Sequence, residues 1–183
     1  VLALFLSYSM LGVCDLSTDG CFTLGAAVGA TVAAAGYPYL SIFAAMGAGI
    51  VSGLITAFLQ TKMGIDSLLS GIIVNTGLYS INIAIMGSSQ VNLNKADTVF
   101  TKMNSLLAET AFSGQSKLVV ILIAVVLVVL FLSVFLKTKL GLAIRATGNN
   151  SAMVKSSSIN PVFTIIIGLC ISNAFTGLSG CLM

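Results

Sequence analysis

The side chains in this sequence that can do chemistry fall into three groups, none of them a catalytic set. Asp15, Ser17, Thr18 and Asp19 sit in DLSTDG, where two carboxylates, two hydroxyls and a glycine interrupt apolar sequence. Ser67, Gly71, Asn75, Tyr79 and Asn82 follow one another at four, four, four and three residues, a spacing that lines one face of a helix. Ser172, Thr176 and Ser179 repeat the pattern at four and three, with Asn173 beside them. Amides and hydroxyls of this kind bind or pass a polar solute, or tie helices together. The chain has no histidine and no tryptophan, and Cys14, Cys21, Cys170 and Cys181 form no CxxC pair. Metal, haem and thiol-redox chemistry therefore have no support, and no cofactor or metal ligand is expected.

These polar groups lie in a chain that is 57% hydrophobic and 7% charged, with a mean hydropathy of +1.10. Soluble domains carry roughly 25% charged residues. The composition predicts an all-α integral membrane protein, a polytopic helical bundle. The net charge of +3 has no aromatic and basic interleaving around it, so no nucleic-acid partner is expected. Val1 opens inside one apolar run and Met183 closes inside another, so the chain reads as a fragment truncated at both ends.

The elements that must position the polar groups follow in order. Residues 1–14 read as the end of a span, being too short to cross a bilayer. Residues 21–36 are mostly small, with Gly25 and Gly29 spaced for close helix approach. At sixteen residues they suit a half-helix that starts at the DLSTDG break, capped by Asp15, Ser17, Thr18 or Asp19. Tyr37, Pro38 and Tyr39 read as an interfacial turn, and residues 39–59 and 65–86 as full spans joined by a short turn at 60–64. Leu118–Leu136 is apolar all round apart from Ser133, which predicts a peripheral helix against lipid. The apolar stretch after Pro161 carries the second polar stripe and is predicted to lie inside the bundle.

Lys137–Pro161 is the one long polar stretch that is basic throughout. It holds Lys137, Lys139, Arg145 and Lys155 and no acid, which predicts a cytoplasmic loop. Leu140–Ala146 reads as a short helix, Thr147, Gly148, Asn149 and Asn150 as the turn that stops it, and Ser151 as the cap of a second short helix. Residues 87–116 balance Lys95 and Lys102 with Asp97 and Glu109, which puts that loop outside, with a short surface helix at Asn104–Phe112. This topology has a direct test. A cysteine placed at Asn94 is expected to react with an impermeant maleimide in intact cells, and one at Asn150 is not; the reverse pattern would overturn the orientation.

Two stretches resemble the permease subunits of ATP-binding-cassette importers that take up branched-chain amino acids, ribose-type sugars and nucleosides. DLSTDGCFTLGAAV is similar to the DLS-type segment near the start of their first helical half. GLAIRATGNNSAMVKSSSIN is similar to their cytoplasmic loop of the form G-x-A-x-R-A-x-G-x-N followed by a Gly/Ser-Ile-Asn exit. With LLSGIIVNTGLYSINIAIMG included, the sequence resembles most the subgroup associated with amino-acid uptake. The departure is Ser157-Ser158-Ile159, where a glycine more often precedes the isoleucine.

The resemblance implies a single transmembrane permease domain over 1–183 with an incomplete second helical half. It implies a bacterial plasma (inner) membrane location and a chain that hydrolyses nothing itself. The implied partners are a cytoplasmic ATPase, an extracytoplasmic solute-binding protein and a second permease subunit in a homodimer. The ATPase would dock on Gly141, Arg145, Ala146, Thr147, Gly148 and Asn149. The solute path would draw on Asp15, Ser17, Thr18, Asp19, Asn75, Tyr79, Asn82, Asn173 and Thr176.

Each feature also has a plainer reading. DLSTDG is also what a capped surface loop looks like, the asparagine stripe suits interhelical hydrogen bonding, and the basic loop suits a solvated positive-inside segment. A secondary transporter or channel is the competing function. It requires coupling groups in the membrane, for which only Asp15, Asp19 and Asp66 are near enough.

Overall fold

In the computed structural model, residues 1–87, 116–157 and 159–183 are described; the expected surface helix at Asn104–Phe112 lies outside them. A short helix α1 (Leu2–Leu4) widens into a π turn over Phe5–Met10, closed by Leu11 N–H on the Leu6 carbonyl at 3.2 Å. Irregular chain leads to α2 (Thr18–Ala34), followed by α3 (Pro38–Thr61) and α4 (Ser67–Met86), which ends on left-handed Gly87 at φ 63°. After residues 88–115 come α5 (Ser116–Lys137), the short α6 (Lys139–Asn149) and α7 (Ser151–Ser156), and α8 (Pro161–Cys181). Among the described residues, α3, α4, α5 and α8 are long and apolar enough to cross a membrane.

The centre of the bundle is α8, as its small and polar stripe predicts: Ser172, Asn173, Thr176, Gly177 and Gly180 are buried, while Ser179 near its C-terminal end is exposed. Small residues let α2 and α3 pack on it backbone to backbone. Gly25 faces Gly177, Gly29 faces Cys181, and Gly180 lies against the Phe22 carbonyl. On the other side Gly49 meets the Asn173 carbonyl, Gly53 that of Leu169, and Gly177 that of Ala45. These pairings make α2 parallel and α3 antiparallel to α8. Gly20 against Asn75 and Thr23 against Asn82 make α4 parallel to α2.

A methyl group has no room at these crossings. Gly25→Ala and Gly180→Ala are each expected to cost about 1–3 kcal/mol of stability, the usual penalty of overpacking. Gly47→Ala, with nothing within 4 Å of the added carbon, is expected to leave stability unchanged. Heating followed by size-exclusion chromatography of the detergent-solubilised protein distinguishes the two classes.

Peripheral α5 buries only Val120 and Leu132 among its described side chains, with Phe131 edge-on to Phe175 of α8 at 5.7 Å. The short helices depart from expectation in two ways. First, α6 runs on through Thr147, Gly148 and Asn149, which were expected to form a turn. Nothing there stops it, because the chain leaves helical geometry only at Asn150, with φ −158° and ψ 98°. Second, Asn150 rather than Ser151 caps α7, its Oδ1 accepting from the N–H groups of Ala152 and Met153 at 3.1 Å each. The helix α2 also differs from expectation, since no side chain of DLSTDG caps it; Ser17 holds the cap position, and its hydroxyl is turned to Asp15 instead.

Candidate functional site

Asp15 folds back on its own segment. The N–H and the Oγ–H of Ser17 both donate to Asp15 Oδ1, at 2.8 and 2.6 Å, and Asn173 Nδ2 donates to Asp15 Oδ2 at 3.2 Å. The same amide nitrogen lies 3.4 Å from Ser17 Oγ, which also accepts from Thr56 Oγ1 at 3.1 Å. Cys21 Sγ donates to the Asn173 carbonyl at 3.2 Å. Asp15 is 4% exposed and Ser17, Thr56 and Asn173 are fully buried. Asn173 lies twelve residues beyond Pro161, so at about 1.5 Å per residue this polar knot sits about 18 Å up α8, near mid-depth. The N-terminal end of α2 beside the carboxyl adds the positive pole of a helix. Donors from its own segment and from α8 thus satisfy Asp15.

Eight of the nine predicted path residues divide among three places. Asp15, Ser17 and Asn173 form the knot. Asn75 and Asn82 are on the seam between α2 and α4: Asn82 Nδ2 donates to Thr23 Oγ1 at 2.7 Å, and the half-buried Asn75 amide lies over Gly20. Thr18, Asp19 and Thr176 line, with Ser179, a cleft of about 630 Å³ between α1, α2, α5 and α8, whose walls are otherwise apolar.

Tyr79 belongs to none of these places, since its side chain is 69% exposed. The buried line of α4 is Gly71, Val74, Leu78 and Asn82. Steps of four overshoot the 3.6-residue turn by about 40° each. Three such steps from Ser67 carry Tyr79 off the seam, and the final step of three returns Asn82 to it. Tyr79, Thr76 and Ser80 then share the outward face of α4. Sequence reasoning missed Thr56 and the buried Ser52; their spacing of four, in register with Gly49 and Gly53, was the available signal.

The basic stretch Lys137–Pro161 separates in the same way. Arg145, Ala146 and Asn149 are exposed, beside Leu142 and Met153. The other three predicted docking residues face inward. Gly141 packs on the Phe135–Leu136 backbone, where α5 turns into α6. The Thr147 hydroxyl pairs with that of Thr164 in α8 at 2.9 Å, and Gly148 lies against the Met10 carbonyl. A partner therefore cannot approach the backbone at Gly148, because the chain's own π turn already occupies that side. Ile144 completes the attachment, buried with Leu11, Ala57 and Leu169.

The family model described as branched-chain amino acid transport system, permease component, matches residues 1–183. A tyrosine transport system permease protein of Clostridioides difficile is 37% identical over 100% of this chain and 58% of its own length. An uncharacterized protein of Rickettsia prowazekii is 30% identical over 100% of this chain and 61% of its own length. A guanosine ABC transporter permease protein of Bacillus subtilis is 28% identical over 92% of this chain and 57% of its own length. This chain thus spans about three-fifths of the length of the curated relatives it matches. No solved structure matches it significantly.

Proposed function

The chain belongs to the family of branched-chain amino acid transport system permease components, and from that premise we propose that it forms part of the solute path of a bacterial importer driven by separate cytoplasmic ATPase subunits. It is a multi-pass protein of the plasma membrane. An extracytoplasmic binding protein delivers the solute, a second copy of the permease completes the path, and residues 1–183 act as one transmembrane unit. The solutes are amino acids or comparable small polar molecules. A tyrosine permease and a guanosine permease among the relatives support that class.

The observation that carries this reading is the build of α6. The helix is anchored on its inner face by Ile144, Thr147 and Gly148, and it holds Arg145, Ala146, Asn149 and Leu142 outward. A solvated loop needs no such anchorage, whereas a surface that receives force from a partner does. Within the membrane, Thr76, Tyr79 and Ser80 give α4 an outward face that is poorly suited to lipid and well suited to a wet path or to another subunit. Asp15 is satisfied by donors on its own segment and on α8, which weakens the case for ion coupling through it.

The test is reconstitution of the full-length permease with its ATPase and binding protein in liposomes. ATP-dependent uptake of a labelled amino acid is expected. Uptake that proceeds without the ATPase and follows an ion gradient would replace this reading with secondary transport.

A further inference from the structure

From Met10 at the end of the π turn to the start of α2, the chain touches three different helices, each time at a glycine. The Met10 carbonyl lies against Gly148 of α6. A Leu11 methyl stands 2.5 Å from where a Cβ on Gly168 of α8 would be, and the Leu16 nitrogen 2.7 Å from where one on Gly71 of α4 would be. Leu11 is 5% exposed and shares a buried cluster with Ile144 of α6. Within the segment Gly12 adopts φ 67°, a left-handed geometry that glycine takes without strain, and the segment ends at the knot of Asp15 and Asn173.

Close-packed contacts have little free volume and pass displacement on rather than absorbing it. A short non-helical piece can change its backbone angles while the helices it touches move as rigid rods. We infer that residues 10–17 are the mechanical link through which displacement of α6 reaches α4, with Leu11 as the positioning residue at the input and the contact of Leu16 with Gly71 as the output. This inference rests on the ATPase-docking reading of α6. The link makes a prediction that simple packing does not: altering Leu11 leaves the ATPase bound and hydrolysing, but disconnects α4 from it.

The experiment uses the full-length permease with its ATPase and binding protein, carrying a cysteine at Thr76 on the exposed face of α4. Its modification rate by a charged methanethiosulfonate is measured with and without trapping by ATP and vanadate. With Leu11 intact, trapping is expected to change the rate several-fold. In Leu11→Ala the change is expected to fall below twofold, with ATPase co-purification and basal hydrolysis within twofold of the parent and less solute moved per ATP. Leu11→Met, which keeps the volume, is expected to restore the response.

A full trapping response in Leu11→Ala would overturn the link. If Leu11→Ala does not assemble, Leu11→Val is measured in its place, and a graded loss is expected. Loss of assembly in both variants makes the residue structural only and also overturns the link. Absence of any trapping response with Leu11 intact, or of ATPase co-purification, would instead count against the docking reading itself.

Discussion

Arg145→Glu is expected to separate the ATPase from the permease while leaving the membrane bundle intact. The guanidinium is on the outward face of α6, with Ala146 and Asn149 exposed beside it and, among the described residues, no part of the core depending on it. A guanidinium offers forked hydrogen bonds to carboxylates or carbonyls of a partner groove. Removing one member of such a buried, charged contact costs about 2–5 kcal/mol, and reversing its sign adds repulsion. Because about 1.4 kcal/mol is tenfold in affinity, the loss is expected to be at least about 25-fold, enough to abolish co-purification. Arg145→Lys keeps the charge without the fork and is expected to fall in between. Wild-type co-purification and solute-stimulated hydrolysis in Arg145→Glu would count decisively against this face as the docking site.

Asn173→Leu is expected to cause the largest loss of stability among substitutions in the membrane part. It removes the donor to Asp15 Oδ2 and leaves a carboxyl oxygen buried at mid-depth without that partner. Such an orphan costs about 1–3 kcal/mol for a neutral group and more for a charged one. Asp15→Ala removes the acceptor instead, freeing the Ser17 N–H, the Ser17 hydroxyl and Asn173 Nδ2, and is expected to lose somewhat less. Both are read by heating followed by size-exclusion chromatography, with uptake measured well below the melting point. Uptake that recovers fully at low temperature identifies the knot as a fastening. Uptake that stays low in an assembled complex places the knot on the solute path. Unchanged stability in Asn173→Leu would remove the knot from any account of the fold.

The membrane-spanning helices were legible because hydropathy and length decide them directly. The central position of α8 was legible too, since Ser172, Asn173, Thr176 and Gly177 fall on one face and make sense only against other helices. The break at DLSTDG was legible as a break, but its partners were not. Asp15 meets Asn173 across 158 residues of sequence, and no local pattern encodes that pairing. Tyr79 lies off the seam that holds Asn82 because a run of four-residue steps imitates a straight stripe while drifting around the helix. Gly148 looked like an opening for a partner, yet the missing side chain makes room for Met10 of the same chain. Short-range signals thus marked which residues matter here, while long-range packing determined what each of them touches.

The wide separation in sequence between α2 and α8 has a consequence for biogenesis. Gly25 and Gly29 of α2 face Gly177 and Cys181, and its entry is tied to Asn173, so although α3 and α4 cover its other sides, its close glycine crossing and one donor to the carboxyl at its entrance belong to α8. At a synthesis rate of about 5–20 residues per second, the ribosome takes roughly 8 to 30 seconds to travel from one to the other. Throughout that interval a 17-residue, glycine-rich helix with a carboxyl at its entrance must wait in or beside the insertion machinery with its contacts to α8 unmade. Premature release into lipid would favour misinsertion or degradation. Slow-translating codons after α2 should therefore harm yield far more than the same codons placed after α8, a difference that belongs to the order of synthesis rather than to the finished fold.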